Sequence, residues 1–365
     1  MLTSIINLIL KKPGLKANEL ARELGLTRKE LNQILHKKPD IFHKNESFEW
    51  SISEGAVSKL SLNSEKKWIT QNDFEDALKE QGSPLECNID KVTIEIIGEQ
   101  PLLFCAVARL LALSNQLADA GKRVTLDFTN NESTVSYLNR ACFFARLAPE
   151  IAIVPQRPSI EDSEANKAKS ISLVELLELG TEENVPSRIR DSFISVFGQN
   201  EATKLFTVVA EMVGNVEDHS ETPIPGFAGL QCYSPGNKQS VVVVVSDSGK
   251  GICATLRPAL AEHFPKIATM FPSGATASDA KLILYAMNNR GLSRTGKGRG
   301  AGLHTSREKA ELLKAKVTIR QENFSVHLSY SNGALEKKQW KLDLPKLPGT
   351  HVVFEFSLTS PKISD

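Results

Sequence analysis

The chain has 365 residues, of which 41% are hydrophobic and 24% are charged, and its formal net charge is +1. A chain of this length usually exceeds one core, so two or three domains are expected. The near-neutral charge excludes a protein that attracts nucleic acid or acidic partners through an overall field.

The N-terminal segment, residues 1–10, is apolar but too short to cross a bilayer, and it lacks the marks of a secretion signal. No longer apolar stretch follows, and the five cysteines are scattered without a Cys-x-x-Cys pair. We therefore expect a soluble, cytoplasmic protein with reduced thiols, no zinc site and no membrane partner. Residues 2–10 predict a first helix and residues 18–24 a second. Thr27 and Glu30 have the spacing of a capping box, which predicts a third helix that runs to about His36.

The third predicted helix has an apolar face and a polar face. Its outward side chains are Arg28, Lys29, Asn32, Gln33 and His36. In residues 42–52, Phe48 and Trp50 then alternate with polar residues as in a strand. These elements, over residues 1–53, resemble a winged helix-turn-helix domain. The resemblance implies that the outward side chains contact DNA; docking of a protein partner and a purely structural role are the alternatives.

A polar stretch follows, and then a segment in which strands and helices alternate. Residues 54–88 are interpreted as a linker that carries a short helix at about residues 74–79. In residues 89–155, right-handed crossovers would make the sheet at least partly parallel. Strands are predicted at 92–97, 123–128 and 151–154, and helices at 103–120 and from the turn at 129–133 to about 146.

The turn at residues 129–133 connects an aspartate-containing strand directly to a helix. This arrangement is similar to STAS domains, the partners of anti-sigma kinases, in which the turn carries a phosphoacceptor serine followed by glycine. Ser133 and Thr134 stand at that place, but Val135 and Ser136 follow and the glycine is absent. We therefore expect one of the two hydroxyls to cap the helix rather than to accept phosphate.

The rest of the chain is interpreted as a second linker, residues 156–180, and a third domain, residues 181–365. Residues 171–197 are predicted to be helical. A later helix has one apolar stripe, formed by Leu205, Val209, Met212 and Val216. Its opposite face carries Glu211, Asn215, Asp218 and His219.

Two glycine-bearing turns follow that helix. Residues 241–245 predict a buried strand, because all five are β-branched valines, and Asp247, Gly249 and Gly251 mark the turn at its end. The second turn, Gly298-Arg299-Gly300-Ala301-Gly302-Leu303, precedes a helix predicted for residues 305–315. Glycines there let backbone N–H groups approach phosphate oxygens, and the helix N-terminus attracts the same anion.

The last part of the chain predicts an antiparallel sheet. Strands are predicted at residues 316–321, 325–330 and 351–357, with turns at 322–323 and 332–333. Thr350 lies at the start of the final strand, directly after Gly349.

The acidic helix and the two turns, in this order and with an apolar strand between them, resemble the GHKL superfamily. This is the ATP-binding fold of gyrase B subunits, ninety-kilodalton heat-shock chaperones, MutL proteins, histidine kinases and anti-sigma serine kinases. The resemblance covers about residues 200–358 and implies a two-layer α/β sandwich with helices on one face of the sheet. The whole chain is thus expected to be a multidomain α/β protein.

The resemblance also implies roles for particular residues, with ATP and Mg²⁺ as cofactors. Asn215 matches the Mg²⁺ ligand, and Glu211 matches the general base. Asp247 matches the acceptor for the adenine amino group, and Thr350 matches the threonine that assists it. The remaining residues expected at the nucleotide are Asp218, Gly249, Gly251, Gly298, Gly300, Gly302 and Leu303. The position of His219, four residues after Asn215, is similar to the anti-sigma kinase pattern.

Residues 252–297 are expected to form a long loop that closes over ATP as a lid. At its end, Lys297 and Arg299 are expected either to contact the phosphates or only to keep the loop soluble.

Three functions fit the pattern. The first is an ATP-driven switch with slow hydrolysis, which is favoured because the two other domains resemble input or output modules. The second is a serine/threonine kinase that acts on a STAS partner, and the third is a module that holds ATP without turnover. Many members of the superfamily pair when ATP binds, so the resemblance also implies a homodimer on ATP binding.

Overall fold

The computed structural model describes residues 1–159, 173–180, 184–219, 221–233, 239–292 and 302–358. Within these ranges the chain is a multidomain α/β protein that divides into two compact units. The first unit comprises Met1–Leu102, Leu113–Val135 and Leu147–Arg157. The second comprises Leu103–Ala112, Ser136–Arg146 and the described residues from Pro158 onward. None of the described helices is both long enough and apolar enough to span a membrane.

The first unit begins with three helices and a hairpin. The elements are α1 (Leu2–Lys11), α2 (Ala17–Leu24), α3 (Arg28–Lys37), β1 (Phe42–Lys44) and β2 (Trp50–Ile52), with β1 and β2 antiparallel. The predicted helices and the capping box of Thr27 and Glu30 are confirmed. The prediction that Phe48 belongs to a strand is wrong, since its φ is 62° and its side chain is 66% exposed in the turn between β1 and β2.

The range predicted as the first linker, residues 54–88, is instead structured. It contains β3 (Val57–Leu62), which pairs in parallel with β4 (Lys91–Ile96), and α4 (Gln71–Gln81). Cys87 packs in the same hydrophobic cluster as the first three helices. Burial of these apolar residues therefore outweighs the polar composition that suggested a linker.

The first unit contains a four-stranded sheet in the order β3-β4-β5-β6. The remaining strands are β5 (Arg123–Asp127) and β6 (Ala152–Val154), and every neighbouring pair is parallel, which confirms the predicted parallel pairing. The helices that alternate with these strands along the chain are α4, α5 (Phe104–Asp119), α6 (Glu132–Arg140) and α7 (Phe143–Arg146).

The predicted helix cap at Ser133 or Thr134 is wrong, because α6 already begins at Glu132. Both hydroxyls thus lie in the first helical turn. Ser133 is exposed, whereas Thr134 is buried and its Oγ1 donates to the Gln100 carbonyl at 3.4 Å.

The second unit is built on a seven-stranded sheet in the order β12-β11-β10-β13-β9-β8-β7, in which every neighbouring pair is antiparallel. Its strands are β7 (Leu173–Glu178), β8 (Phe227–Tyr233), β9 (Gln239–Ser246), β10 (Lys316–Gln321), β11 (Phe324–Ser331), β12 (Ala334–Lys341) and β13 (Thr350–Leu358). Three of them differ from the predictions. β7 lies where a linker and a helix were expected, and neither β8 nor β12 was predicted.

The described helices that follow β7 along the chain include a group in the range where a long loop was predicted. These helices are α8 (Val185–Phe197), α9 (Gln199–His219), α10 (Gly251–His263), α11 (Pro265–Met270), α12 (Ser278–Asn288) and α13 (Gly302–Leu312). The long-loop prediction is wrong for α10 to α12: apolar residues of α10 and α12 are buried in the core of the second unit, and Ile267 and Ala268 of α11 pack partly buried against it. The Arg257 guanidinium joins these helices, since it bonds the Asp279 carboxylate and, at 2.8 Å, the Phe271 carbonyl.

The valines of β9 are buried on both faces of the sheet. Val241, Val243 and Val245 belong to the main core cluster of this unit, and Val242 and Val244, which alternate with them, are also at most 6% exposed. A two-layer sandwich with helices on one face alone would leave the second face open to solvent. The uninterrupted valine run accordingly reflects a strand that is covered on both sides.

Candidate functional site

Helix α9 presents the first predicted site residues. The predicted apolar stripe of Leu205, Val209, Met212 and Val216 is confirmed, since each is at most 8% exposed. Glu211 and Asn215, one turn apart, are partly buried on another face. The backbones of Asp218 and His219 belong to the last turn of α9, but their side chains lie outside the described part of the chain.

The start of α13 packs directly against this face of α9. A Cβ atom added at Gly302 would lie 2.7 Å from Glu211 Oε2 and 3.5 Å from Asn215 Nδ2. The Glu211 carboxylate thus occupies the space that a side chain at position 302 would need. Glu211, Asn215 and Gly302, which are far apart in the sequence, come together as predicted.

The turn after β9 places Asp247 in a buried position. Its side chain is 5% exposed, and its Oδ1 accepts a hydrogen bond from Gly249 N at 2.7 Å. The Asp247 N–H donates to the Thr350 carbonyl at 2.9 Å, and the Thr350 hydroxyl bonds the carboxylate. Burial raises the pKa of Asp247, and the hydrogen bonds from Gly249 and Thr350 oppose this rise. The two residues predicted to hold adenine are therefore direct partners.

Glycine at position 349 makes this pairing possible. Gly349 has a φ of +94°, and an added Cβ would overlap the Asp247 carbonyl. Only a residue without a side chain allows the start of β13 to approach the Asp247 turn so closely.

Gln321 is a site residue that the sequence analysis missed. It is 3% exposed at the end of β10, opposite Thr350 in the sheet register. Its Nε2 donates to Thr350 Oγ1 at 2.9 Å, and its Oε1 accepts from Cys253 N at 3.4 Å. The sequence could have predicted that this side chain is buried. Gln321 continues the alternation of the buried residues Val317 and Ile319, which places its amide on the core face of the strand.

His351 joins β13 to β9 beside Asp247. Its Nε2 lies 3.0 Å from the Pro348 carbonyl and must donate there, so its Nδ1 accepts from Ser246 Oγ at 2.6 Å. Burial, together with the positive charges of Arg109 and Arg320, lowers the pKa of His351 to about 3. The imidazole is therefore neutral and acts as a cross-strand brace.

Gly226 connects the two groups of site residues. A Cβ added there would lie 2.7 Å from Val216 Cγ1 and 3.2 Å from the Ser246 carbonyl oxygen. Val216 follows Asn215 in the chain, and Ser246 precedes Asp247. The Glu211–Asn215 group and the Asp247–Thr350 group consequently lie at the same end of the sheet.

The donor set at α9 fits a magnesium ion. Asn215 carries an amide oxygen, and the Glu211 carboxylate lies beside it near Gly302; hard cations prefer oxygen ligands of these kinds. Among the described residues no three His, Cys, Asp or Glu side chains cluster, so a bound ion would keep water or phosphate oxygens as its other ligands.

The predicted phosphate-binding turn is only partly described. Gly302 and Leu303 begin α13, and Leu303 packs partly buried against the core. Gly251, with a φ of +78°, begins α10. The expectations for Lys297, Gly298, Arg299 and Gly300 lie outside the described residues.

In the first unit, α3 carries the residues predicted to contact DNA. Arg28, Lys29, Asn32, Gln33 and His36 line one open depression, and all except the partly buried Asn32 are exposed. The His36 and Trp50 rings meet edge to face at 5.3 Å, and Lys44 Nζ lies 5.8 Å from the Trp50 ring centre. The hairpin thus places a further cation beside this face.

Residues from separate segments meet at the end of the second unit's sheet, and several of them were predicted from the sequence: Glu211, Asn215, Asp247, Gly249, Gly251, Gly302 and Thr350. No family model matches the chain, and no curated protein matches it. The function proposed below rests on the geometry of these residues.

Proposed function

We propose that the second unit binds Mg²⁺–ATP as a GHKL-type domain and acts as an ATP-driven switch with slow hydrolysis. The observation that supports this most strongly is the pairing of Asp247 with Thr350 at the end of the sheet where Gly302 covers Glu211 and Asn215. Core packing alone does not require a buried carboxylate at this position, since burial of an acid opposes folding unless it is hydrogen-bonded.

Asp247 is the proposed adenine acceptor. One carboxylate oxygen already accepts from Gly249 N, and an ionised carboxylate has further lone pairs for the adenine amino group. Recognition through this group requires the ionised form, because a protonated carboxyl loses acceptor capacity.

Glu211 and Asn215 are proposed to serve the phosphate end of the nucleotide. Asn215 would hold the magnesium ion, which supplies neutralisation of phosphate charge when bound. Glu211 would orient a water molecule and accept its proton. Lys297, Arg299 and the glycines at 298, 300 and 302 are the proposed phosphate contacts.

In the first unit, we propose a winged helix that binds DNA through α3, followed by a STAS-like domain around the four-stranded sheet. The exposed cationic side chains of α3 and the hairpin that follows it support DNA over a protein partner. ATP binding in the second unit is proposed to control this contact, and pairing of two chains on ATP is part of the same proposal.

A kinase that acts on a STAS partner is the second candidate function. The observation in its favour is that Ser133, at the start of α6, is exposed. Incubation with γ-labelled ATP separates the candidates: free phosphate supports the switch, and label on serine or threonine supports the kinase. Binding without either product identifies a module that holds ATP without turnover. No binding with or without Mg²⁺ contradicts the proposal as a whole.

A further inference from the structure

Gln321 links the Asp247–Thr350 pair to the first turn of α10. Its amide nitrogen faces Thr350 and its amide oxygen faces Cys253 N. A Cβ added at Gly251 would lie 2.8 Å from that same oxygen. The side chain is therefore enclosed by β13 on one side and by α10 on the other.

The orientation of the amide follows from its partners. The backbone N–H of Cys253 can only donate, so the group that faces it must be the oxygen of Gln321. The –NH₂ group then donates to Thr350 Oγ1, which accepts this hydrogen bond. The single hydroxyl hydrogen of Thr350 is left for the Asp247 carboxylate. Each hydrogen bond in this chain thus has one possible direction.

We infer that Gln321 is a positioning residue for adenine recognition, which acts through Thr350 on Asp247. This inference rests on the proposed nucleotide site. With the Thr350 hydrogen directed at the carboxylate, Asp247 keeps its geometry and presents its remaining lone pairs to the adenine amino group. Without the Gln321 donor, the Thr350 hydroxyl is free to rotate and the carboxylate loses that constraint.

The same amide couples the base site to α10. Any displacement of the first turn of α10 moves Cys253 N, which donates to the Gln321 oxygen, and Gly251, where an added Cβ would lie 2.8 Å from that oxygen. Movement of this helix therefore changes the hydrogen bonds at Asp247, and a base bound at Asp247 favours one position of the helix.

The test compares two nucleotides that differ only at the base. Calorimetric Kd values are measured for ATP and for purine riboside 5′-triphosphate, which has hydrogen in place of the 6-amino group. Wild-type protein is expected to prefer ATP. In Gln321→Met, which keeps the length of the side chain but removes both polar groups, this preference is expected to fall about three- to tenfold, and the affinity for the purine nucleotide is expected to stay the same. Gln321→Glu keeps an acceptor for Cys253 but loses the donor when ionised, so it should lose the preference as well.

Gln231→Met is the matched control, because Gln231 is another buried glutamine of the same sheet, on β8. It is expected to keep the wild-type preference. An equal loss of affinity for both nucleotides in Gln321→Met, or an unchanged preference, would overturn the inference. Failure of the wild type to bind ATP, or to prefer it, would instead overturn the proposed function.

Melting curves establish whether each variant is folded at the assay temperature. If Gln321→Met is not folded, Gly251→Ala is measured in its place, because its added methyl group displaces the Gln321 oxygen. It is expected to lower the preference for ATP by a similar factor, and a folded Gly251→Ala protein with wild-type preference would contradict the inference.

Discussion

The candidate site of the second unit and the α3 face of the first unit place polar residues in opposite settings. Asp247, Gln321 and Thr350 are all at most 9% exposed and come from distant segments of the chain, whereas the α3 residues lie on one helix and are mostly exposed. Buried polar groups depend on each other's hydrogen bonds, while exposed charges act almost independently and are screened by salt. Substitutions in the buried site should accordingly have large and specific effects, and those on α3 small and additive ones.

The largest effect is expected for Gly349→Ala. The added methyl group would overlap the Asp247 carbonyl, and the residue would keep a φ of +94°. We expect a loss of at least about 3 kcal/mol in the free energy of unfolding, measured with urea, together with loss of ATP binding.

Gly333→Ala is the control for Gly349→Ala. Gly333 also has a positive φ, of +74°, but an added Cβ would meet nothing within 4 Å. Only the backbone strain of about 1 kcal/mol applies there. Equal losses for the two variants would mean that the close approach at Gly349 does not matter.

Glu211→Ala is expected to separate ATP binding from hydrolysis. Removal of a general base should lower kcat about 100-fold or more and leave the Kd for ATP nearly unchanged. Glu217→Gln serves as the control on the same helix, because glutamine can still accept the hydrogen bond from Gly180 N. Hydrolysis by Glu211→Ala at the parent rate would show that the base is a different residue.

The buried His351 predicts that stability falls in mild acid. Its pKa is about 3 in the folded protein and 6.5 as the ordinary value, so below pH 6.5 the unfolded chain binds the proton more readily. The stability that the neutral His351 contributes is therefore fully present above pH 6.5 and is lost as the pH falls toward 3. Between pH 7.5 and pH 5 the expected loss is about 2 kcal/mol.

Burial raises the pKa of Asp247, so this residue changes the stability with pH in the opposite direction to His351. The effect of the histidine is therefore measured as the difference between the wild type and a His351 variant. His351→Gln should be less sensitive to this pH change than the wild type by about 2 kcal/mol. If His351→Gln keeps the wild-type pH dependence, the histidine is not buried in its neutral form.

The smallest effects are expected on α3. Arg28→Ala combined with Lys29→Ala should weaken binding of duplex DNA about equally for all sequences and lower the slope of log K against log salt by about 1 for each lost phosphate contact. Lys79→Ala, at an exposed position of α4, should change neither quantity. DNA binding with an unchanged salt slope would show that α3 is not the contact surface.

Local patterns were sufficient where one physical signal dominated. The valine run predicted β9, the apolar stripe predicted α9, and the spacing of Thr27 and Glu30 predicted the start of α3. The candidate pairings of Glu211 with Asn215 and of Asp247 with Thr350 were also available, because they follow from a family pattern that the residues resemble.

The remaining features depend on contacts between distant segments. In β7, Leu173, Leu176 and Leu177 have a helical spacing, yet pairing with β8 makes this segment a strand with an irregular register. β12 is almost wholly exposed and therefore has no apolar alternation to predict it. α10 was predicted as part of a loop because Pro258, which usually ends or kinks a helix, lies in its interior. The role of Gln321 is visible only once β10 lies beside β13.

Calorimetric titration of ATP in the presence of Mg²⁺ into the wild type and into Asp247→Asn tests the central claim most directly. Asp127→Asn is the matched control, since Asp127 Oδ1 accepts from Thr129 N at 2.9 Å in a similar turn of the first unit. The wild type and Asp127→Asn are expected to release binding heat that fits one site, and Asp247→Asn is expected to release none. Absence of heat from the wild type, or unaltered ATP affinity in a folded Asp247→Asn protein, would contradict the assignment of a nucleotide site to this end of the sheet.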